Sequence, residues 1–169
     1  MSERNDVVAT LRAHLKGAHE WLEGTLEGVT NEMANSAPKG VVATIGAQYA
    51  HVVTFEDYFF NGLLKGGAPI MMSENAGVSS PPPMGPWSDW GRSVKVSTDD
   101  QRAYAQKVYA ATDAYLATLT DADLSREFEA PFAKLPIGEF VRVIILNAHV
   151  HAGEISCLKG LQGEKGYPI

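Results

Sequence analysis

The chain has 169 residues, of which 45% are hydrophobic and 20% charged, and it carries a formal net charge of −6. This balance predicts one folded domain over residues 1–169, and the absence of any Lys/Arg cluster excludes nucleic acid as a partner. No apolar stretch reaches the roughly 18 residues of a membrane span, and with a polar N-terminus and one cysteine the sequence predicts a cytoplasmic protein.

The first half of the chain contains two helical patterns. Apolar residues three and four apart predict an amphipathic helix from about residue 5 to residue 29. A second helix is predicted to begin after Thr44, a good N-cap residue, and its apolar stripe continues over residues 45–63. The pair Gly66 and Gly67 then ends this helix.

The second half of the chain contains two more helical patterns. A third helix is predicted from Thr98, which with Gln101 has the spacing of a capping box. The fourth begins at Pro136, a favourable first-turn residue, and continues until Gly160. Its middle, residues 140–146, is apolar on nearly all sides, which favours a homodimer built partly on this helix. Four helices with little strand signal predict an all-α four-helix bundle.

The connection between the second and third helices, residues 65–96, is unusually long for a compact domain. It contains a run of three prolines, residues 81–83, and the tryptophans Trp87 and Trp90. Two tryptophans in a segment rich in proline and glycine favour a loop that packs on the end of the bundle. The alternative is a lid that covers a bound ligand.

Three histidines lie on the predicted helices that could face each other. His51 is on the second helix, and His149 and His151 are on the fourth. Residues two apart on a helix point about 200° away from each other, so His149 and His151 cannot bind one ion from a regular helix. The apolar stripe of the fourth helix brackets His151, which is therefore the inward residue, and His149 falls on another face.

The inner side of the fourth helix is predicted to carry a polar stripe. Asn147, His151 and Glu154 follow each other at i, i+4 and i+7. Burying such groups without partners costs about 1–3 kcal/mol each, so a metal, a ligand, water or other helices must satisfy them. Any one of these histidines, taken alone, is more commonly a hydrogen-bonded residue at the boundary of the core than a metal ligand.

Two segments are similar to a known family. Residues 146–155, with His151, and residues 45–57, with His51, resemble the last and second helices of the DinB-like (YfiT-like) bundle proteins. The order of these motifs, the helix start at Pro136 and the ending after Leu158 extend the likeness over nearly the whole chain. The resemblance implies a four-helix bundle, often dimeric, with a three-histidine site for zinc or nickel that keeps one position open. It also implies an activity on small molecules, since some relatives are transferases that use low-molecular-weight thiols.

Carried over by position, the resemblance assigns two of the three ligands to His51 and His151. The third position is Asn147, and an amide oxygen is a poor ligand for zinc or nickel. Glu154 occupies the family's usual Gln/Glu position. Glu154 could supply a carboxylate if it reaches the same side, and His149 could replace the missing ligand only if the helix carries a π-bulge or unwinds locally.

These observations leave two hypotheses. The first is a metal-dependent enzyme, in which His51, His151 and a third group hold an ion and Glu154 or Glu56 orients a bound thiol or water as a catalytic residue. The second is a metal-free bundle that binds a small ligand under the tryptophan loop or acts through a dimer surface. A di-metal carboxylate bundle is excluded, because no helix carries the Glu-x-x-His pairs that it needs.

Overall fold

The computed structural model describes residues 6–83, 85–131 and 133–169, and the predicted start of the first helix near residue 5 lies outside them. Four long helices form the bundle, together with two short helices and one hairpin. In chain order the elements are α1 (Asp6–Thr25), α2 (Asn31–Ala34), α3 (Ile45–Asp57), α4 (Ser88–Ser93), α5 (Thr98–Leu116), β1 (Glu127–Ala130), β2 (Ala133–Pro136) and α6 (Ile137–Leu161). None of the described helices is both long and apolar enough to cross a lipid bilayer.

Two large apolar clusters form the core along the bundle axis, and a smaller third cluster lies between α3 and the segment before α5. One large cluster holds Leu22, Tyr49, Tyr104 and Ile155. The other large cluster holds Leu15, Phe60, Leu116 and Phe140. The beginning of α3 therefore packs beside the end of α6, and the end of α3 beside the beginning of α6. This antiparallel pairing places His51 and His151 at the same level of the bundle.

The helix boundaries agree with the sequence at some ends and not at others. The Thr44 N-cap is confirmed, since its Oγ1 accepts a hydrogen bond from the Ala47 amide at 3.2 Å. The first helix ends at Thr25 rather than near residue 29. Gly28 takes a left-handed φ of 78°, and Lys159 donates to the free carbonyls of Thr25 and Glu27.

The capping box predicted at the third helix is wrong. Ser97 is the N-cap residue and makes no side-chain capping bond. Thr98 instead donates through its backbone and hydroxyl to Asn31, on α2. Gln101 is completely buried, and neither atom of its side-chain amide has a hydrogen-bonding partner among the described residues. A tertiary contact with α2 has replaced the local cap.

The second long helix, which begins as α3, changes its hydrogen-bonding pattern before it ends. After Asp57 the backbone continues as a π-helix over Tyr58–Leu64, and the Lys65 amide donates to the Phe60 carbonyl, five residues back. Phe59, Phe60 and Asn61 in this segment are buried.

The two-stranded hairpin before α6 was not predicted. β1 and β2 pair antiparallel, with Phe128 opposite Leu135 and Ala130 opposite Ala133. Four residues a strand are too few for a clear alternating pattern, so the sequence gives little signal. Phe128 packs on Phe140 with a ring-centroid distance of 5.2 Å, which fixes the hairpin to the start of α6.

The long connection between α3 and α5 is folded onto the side of α3, and not only onto the end of the bundle as expected, because its Trp87 stacks on His51 in the middle of α3. It contains a 3₁₀ turn (Ile70–Met72), helix α4 and an isolated bridge between Val78 and Val96. The Asn35 side chain bonds both the amide and the carbonyl of Val96 at 2.8 Å. The Thr44 amide donates to the Gly91 carbonyl at 2.9 Å. These bonds hold the loop where Trp87 reaches α3.

Candidate functional site

Two histidines from different helices meet between α3 and α6. The ring centroids of His51 and His151 are 4.9 Å apart, and the rings are nearly perpendicular. His151 is only 8% exposed, and His51 is half-buried. The structure thus brings together the two histidines that the helical pattern and the family resemblance single out.

Glu154 lies against the outer edge of His151. Its Oε2 is 2.7 Å from His151 Nδ1, one helical turn away, and its side chain is 45% exposed. A carboxylate accepts a hydrogen bond from Nδ1–H, which leaves the lone pair of the neutral ring on Nε2. Glu154 therefore fixes the orientation of His151. Burial lowers the pKa of His151, and the attraction of Glu154 for the protonated ring opposes this effect.

Trp87 from the long loop covers one face of His51. The two rings are parallel within 1°, with centroids 4.5 Å apart. Burial, together with the nearby His151, lowers the pKa of His51 to about 4. At neutral pH the His51 ring is uncharged, and its free nitrogen lone pair can accept a hydrogen bond or bind a metal.

Asn147 lies one turn before His151 on α6. It is partly buried, and its Nδ2 has no hydrogen-bonding partner within the described part of the chain. Because amide oxygen and nitrogen can exchange places by rotation, this position offers either an unpaired donor or an unpaired oxygen. An unpaired amide one turn from His151 leaves a polar group that a ligand, water or an ion can satisfy.

These residues fit a divalent metal only in part. Two neutral imidazoles converge, and a carboxylate orients one of them, as at many metal centres. No group of three His, Cys, Asp or Glu side chains that could hold a metal occurs among residues 6–83, 85–131 and 133–169. The amide of Asn147 is a weaker third ligand than imidazole, so the donor set predicts weaker binding than three histidines give.

Other residues considered from the sequence do not join this site. His149 is exposed on another face of α6, where the backbone is an unbroken α-helix, so no π-bulge turns it inward. Glu56 is completely buried against His19 of α1, at 2.7 Å, and therefore does not orient a ligand at the two histidines.

A pocket of about 340 Å³ opens beside His51. Its floor is formed by side chains of α3 and the π-helix, and its roof by the long loop. The lining residues are His51, Thr54, Phe55, Tyr58, Phe59, Met71, Pro81, Pro82, Pro83, Gly85, Trp87 and Pro131. Phe55 and Tyr58 follow His51 at i+4 and i+7, a spacing that the sequence displays. Met71 and Pro131 arrive from separate loops, and no local pattern places them here.

The family model of the DinB superfamily matches residues 8–155. The chain belongs to the DinB superfamily. This membership agrees with the resemblance seen in the two histidine segments. In this DinB chain, however, Asn147 stands at the position that the resemblance assigns to a third ligand.

Two solved structures share the fold of this DinB chain. A conserved protein from Enterococcus faecalis superposes with a TM-score of 0.76 at 20% identity, covering 89% of this chain and 94% of the other. YfiT from Bacillus subtilis, described as a probable metal-dependent hydrolase with an unusual four-helix bundle topology, gives a TM-score of 0.64 at 17% identity; the match covers 94% of this chain and 89% of YfiT. At these identities the likeness establishes the four-helix-bundle fold. No curated protein matches the sequence.

Proposed function

We propose that this DinB protein is a metal-dependent enzyme that acts on a small molecule. His51 and His151 are the metal ligands in this proposal, and the side-chain amide of Asn147 is the third ligand that the protein supplies. The observation that carries it is the convergence of two imidazoles, one buried and one half-buried, with ring centroids 4.9 Å apart and with His51 at the edge of a pocket.

The protonation states of the site support this function. A histidine must be neutral to bind a metal, and burial lowers the pKa of His51 to about 4, so its ring is uncharged at neutral pH. Glu154 holds the proton of His151 on Nδ1 and leaves Nε2 available. A metal-dependent activity also agrees with the description of YfiT, whose fold this chain shares.

A bound divalent cation would lower the pKa of a coordinated water or thiol, which is the chemistry that hydrolysis or transfer to a low-molecular-weight thiol requires. The protein's own residues have separate tasks. Glu154 orients His151 through the bond to Nδ1. Trp87 excludes water from one face of His51. The pocket positions the substrate beside the His51 ring.

Metal affinity tests the proposal directly. Zinc and nickel dissociation constants of the purified protein are measured by competition with a chromophoric chelator, together with His51→Ala and His151→Ala. Each substitution removes one of only two imidazoles and should abolish competitive binding. His149→Ala is the matched control, because it removes an exposed histidine from another face of the same helix and should leave binding unchanged.

A second substitution tests the role of Asn147. In Asn147→His a third imidazole stands one turn before His151, so zinc should bind about tenfold more tightly or better, a gain of at least about 1.4 kcal/mol. If neither alanine variant changes the affinity and Asn147→His gains nothing, the two histidines do not form a metal site.

The second candidate is a metal-free protein that binds a small molecule. It is favoured by Asn147 in a ligand position and by Trp87, whose ring already stacks on His51. This candidate predicts a protein without zinc or nickel affinity that still binds a ligand in the pocket.

A further inference from the structure

We infer that the pocket beside His51 receives a neutral, mainly apolar part of the substrate and excludes charged groups. This inference rests on the proposed function for its biological meaning, but it concerns the pocket alone. It narrows the substrate from a small molecule of any kind to one with an uncharged, aromatic or aliphatic body.

The first argument is charge. No Asp, Glu, Lys or Arg occurs among the described residues that line the pocket. An ionised ligand group would therefore lose its hydration without gaining a countercharge, and such a loss costs several kcal/mol.

The second argument is the nature of the walls. Phe55 and Phe59 pack with ring centroids 4.4 Å apart, and Tyr58 meets Phe59 edge to face at 5.2 Å. The proline run and the Trp87 indole cover this floor from the loop side. Rigid aromatic and proline surfaces bind flat apolar bodies at low entropic cost, because few side-chain rotamers must be fixed.

The third argument is the position of the polar groups. Thr54 already donates its hydroxyl proton to the Ala50 carbonyl at 2.6 Å, so its oxygen can only accept. His51 stands where the pocket meets His151. A ligand is thus held by its apolar body, and its one polar group is directed to His51. Carboxylates of a thiol cosubstrate would have to remain outside.

Two fluorescent probes that differ by one charged group test this inference. N-phenyl-1-naphthylamine and 8-anilinonaphthalene-1-sulfonate share the same ring system, and the second adds a sulfonate. Both are titrated into chelator-treated protein. The neutral probe should bind at least about tenfold more tightly, since the sulfonate cannot be paired inside the pocket.

Adjacent methionines provide a matched pair of variants. Met71 lines the pocket, whereas Met72 is 77% exposed and does not. Met71→Lys places a cation of similar length in the pocket and should shift the preference toward the sulfonate, while Met72→Lys should not. Trp87→Ala should weaken the neutral probe, and Trp90→Ala, which changes the neighbouring indole, should not.

The inference is overturned if the sulfonate binds the unmodified protein as tightly as the neutral probe, or if Met71→Lys and Met72→Lys behave alike. If Met71→Lys fails to fold, the two-probe comparison on unmodified protein and the two tryptophan variants still test the inference. Because no metal is present, a loss of charge discrimination and a loss of metal affinity are separate results. The first refutes this inference and the second the metal-dependent function.

Discussion

Glu56 is a carboxylate without exposed surface, and its one partner is His19 of α1. Tyr109 stacks on the His19 ring with a centroid distance of 3.7 Å, and it also donates to Glu23 at 3.0 Å. The second oxygen of Glu56 has no partner in the described ranges. A buried charge with a single partner makes the fold depend strongly on that partner.

Replacing His19 should therefore be costly. His19→Phe keeps the stacking on Tyr109 but leaves the Glu56 carboxylate unpaired, and we expect the free energy of unfolding to fall by about 3–5 kcal/mol. Denaturant unfolding measures the change. The double variant His19→Phe with Glu56→Leu should lose less than His19→Phe alone, because the unpaired charge is gone.

Lys16→Ala is the control for this pair. It breaks the exposed Lys16–Glu20 ion pair on the same helix and should cost less than about 1 kcal/mol. Equal losses in His19→Phe and Lys16→Ala would contradict the importance of the buried pair.

The sequence predicts side-chain orientations that depend on the periodicity of one helix. It does not predict contacts that depend on how two helices pack. The inward direction of His151 follows from the apolar stripe of its own helix. The position of Glu154 is predicted only in part, since it touches His151 but stays half in solvent. The contact between His19 and Glu56 joins residues 37 positions apart, and no periodicity marks it.

Among the elements, the long loop depends on one carboxylate at the end of α3. Asp57 is completely buried and accepts hydrogen bonds from the backbone amides of Ile70 and Met71, at 2.9 and 3.0 Å. It also accepts from the Asn61 side chain at 2.8 Å and from the Tyr104 hydroxyl at 2.6 Å. Asp57 therefore fixes Met71 in the pocket wall and joins the loop to α3 and α5.

Asp57→Asn should release the start of the loop. The new amide group would face donors on one side, so at least one bond to the charged oxygen is lost, at about 1.5–3 kcal/mol. We expect lower unfolding free energy, faster hydrogen exchange at the Met71 amide, and weaker binding of the neutral probe.

Glu74→Gln makes the same chemical change at a partly exposed carboxylate in the same loop, where Glu74 pairs with Lys107. It should alter none of the three quantities by more than a small amount. If Asp57→Asn proved as mild as Glu74→Gln, Asp57 would not be the anchor of the loop.

The four helices could be predicted because each buries an apolar stripe over many turns. The hairpin and the internal structure of the loop could not, since they consist of three to six residues that depend on distant partners. The false capping box at Thr98 has the same cause, because Asn31 from α2 takes its hydrogen bonds.

On the scale of the whole molecule, α6 carries an apolar stripe that the bundle leaves uncovered. Leu146, Val150 and Leu161 are 48%, 59% and 75% exposed, and Cys157 on the same side is exposed too. Counted along the chain, Leu146 and Leu161 are equidistant from the midpoint between residues 153 and 154, as are Val150 and Cys157. We propose that two copies associate through this stripe, with their α6 helices antiparallel about a two-fold axis.

Disulfide trapping checks this dimer. In the antiparallel arrangement Val150 of one copy lies beside Cys157 of the second, so Val150→Cys should yield a covalent dimer under mild oxidation. The two native thiols would be about 10 Å apart along the axis, so the unmodified protein should stay uncrosslinked.

His149→Cys is the control, because its thiol lies outside the stripe. Size-exclusion chromatography provides the second measurement: Leu146→Lys combined with Leu161→Lys should convert a dimer into a monomer. A monomeric unmodified protein, or equal crosslinking in both cysteine variants, would refute the arrangement.

The π-helix at Tyr58–Leu64 has a consequence for how this chain compares with its relatives. A π-turn arises when one amino acid is inserted into an α-helix and the ends of the helix stay in place. A relative whose second helix is α-helical throughout should therefore align with a one-residue gap within 58–64. Alignments that forbid the gap would shift every position downstream of it by 100° around the helix axis, and would pair the wrong aromatic side chains below the pocket.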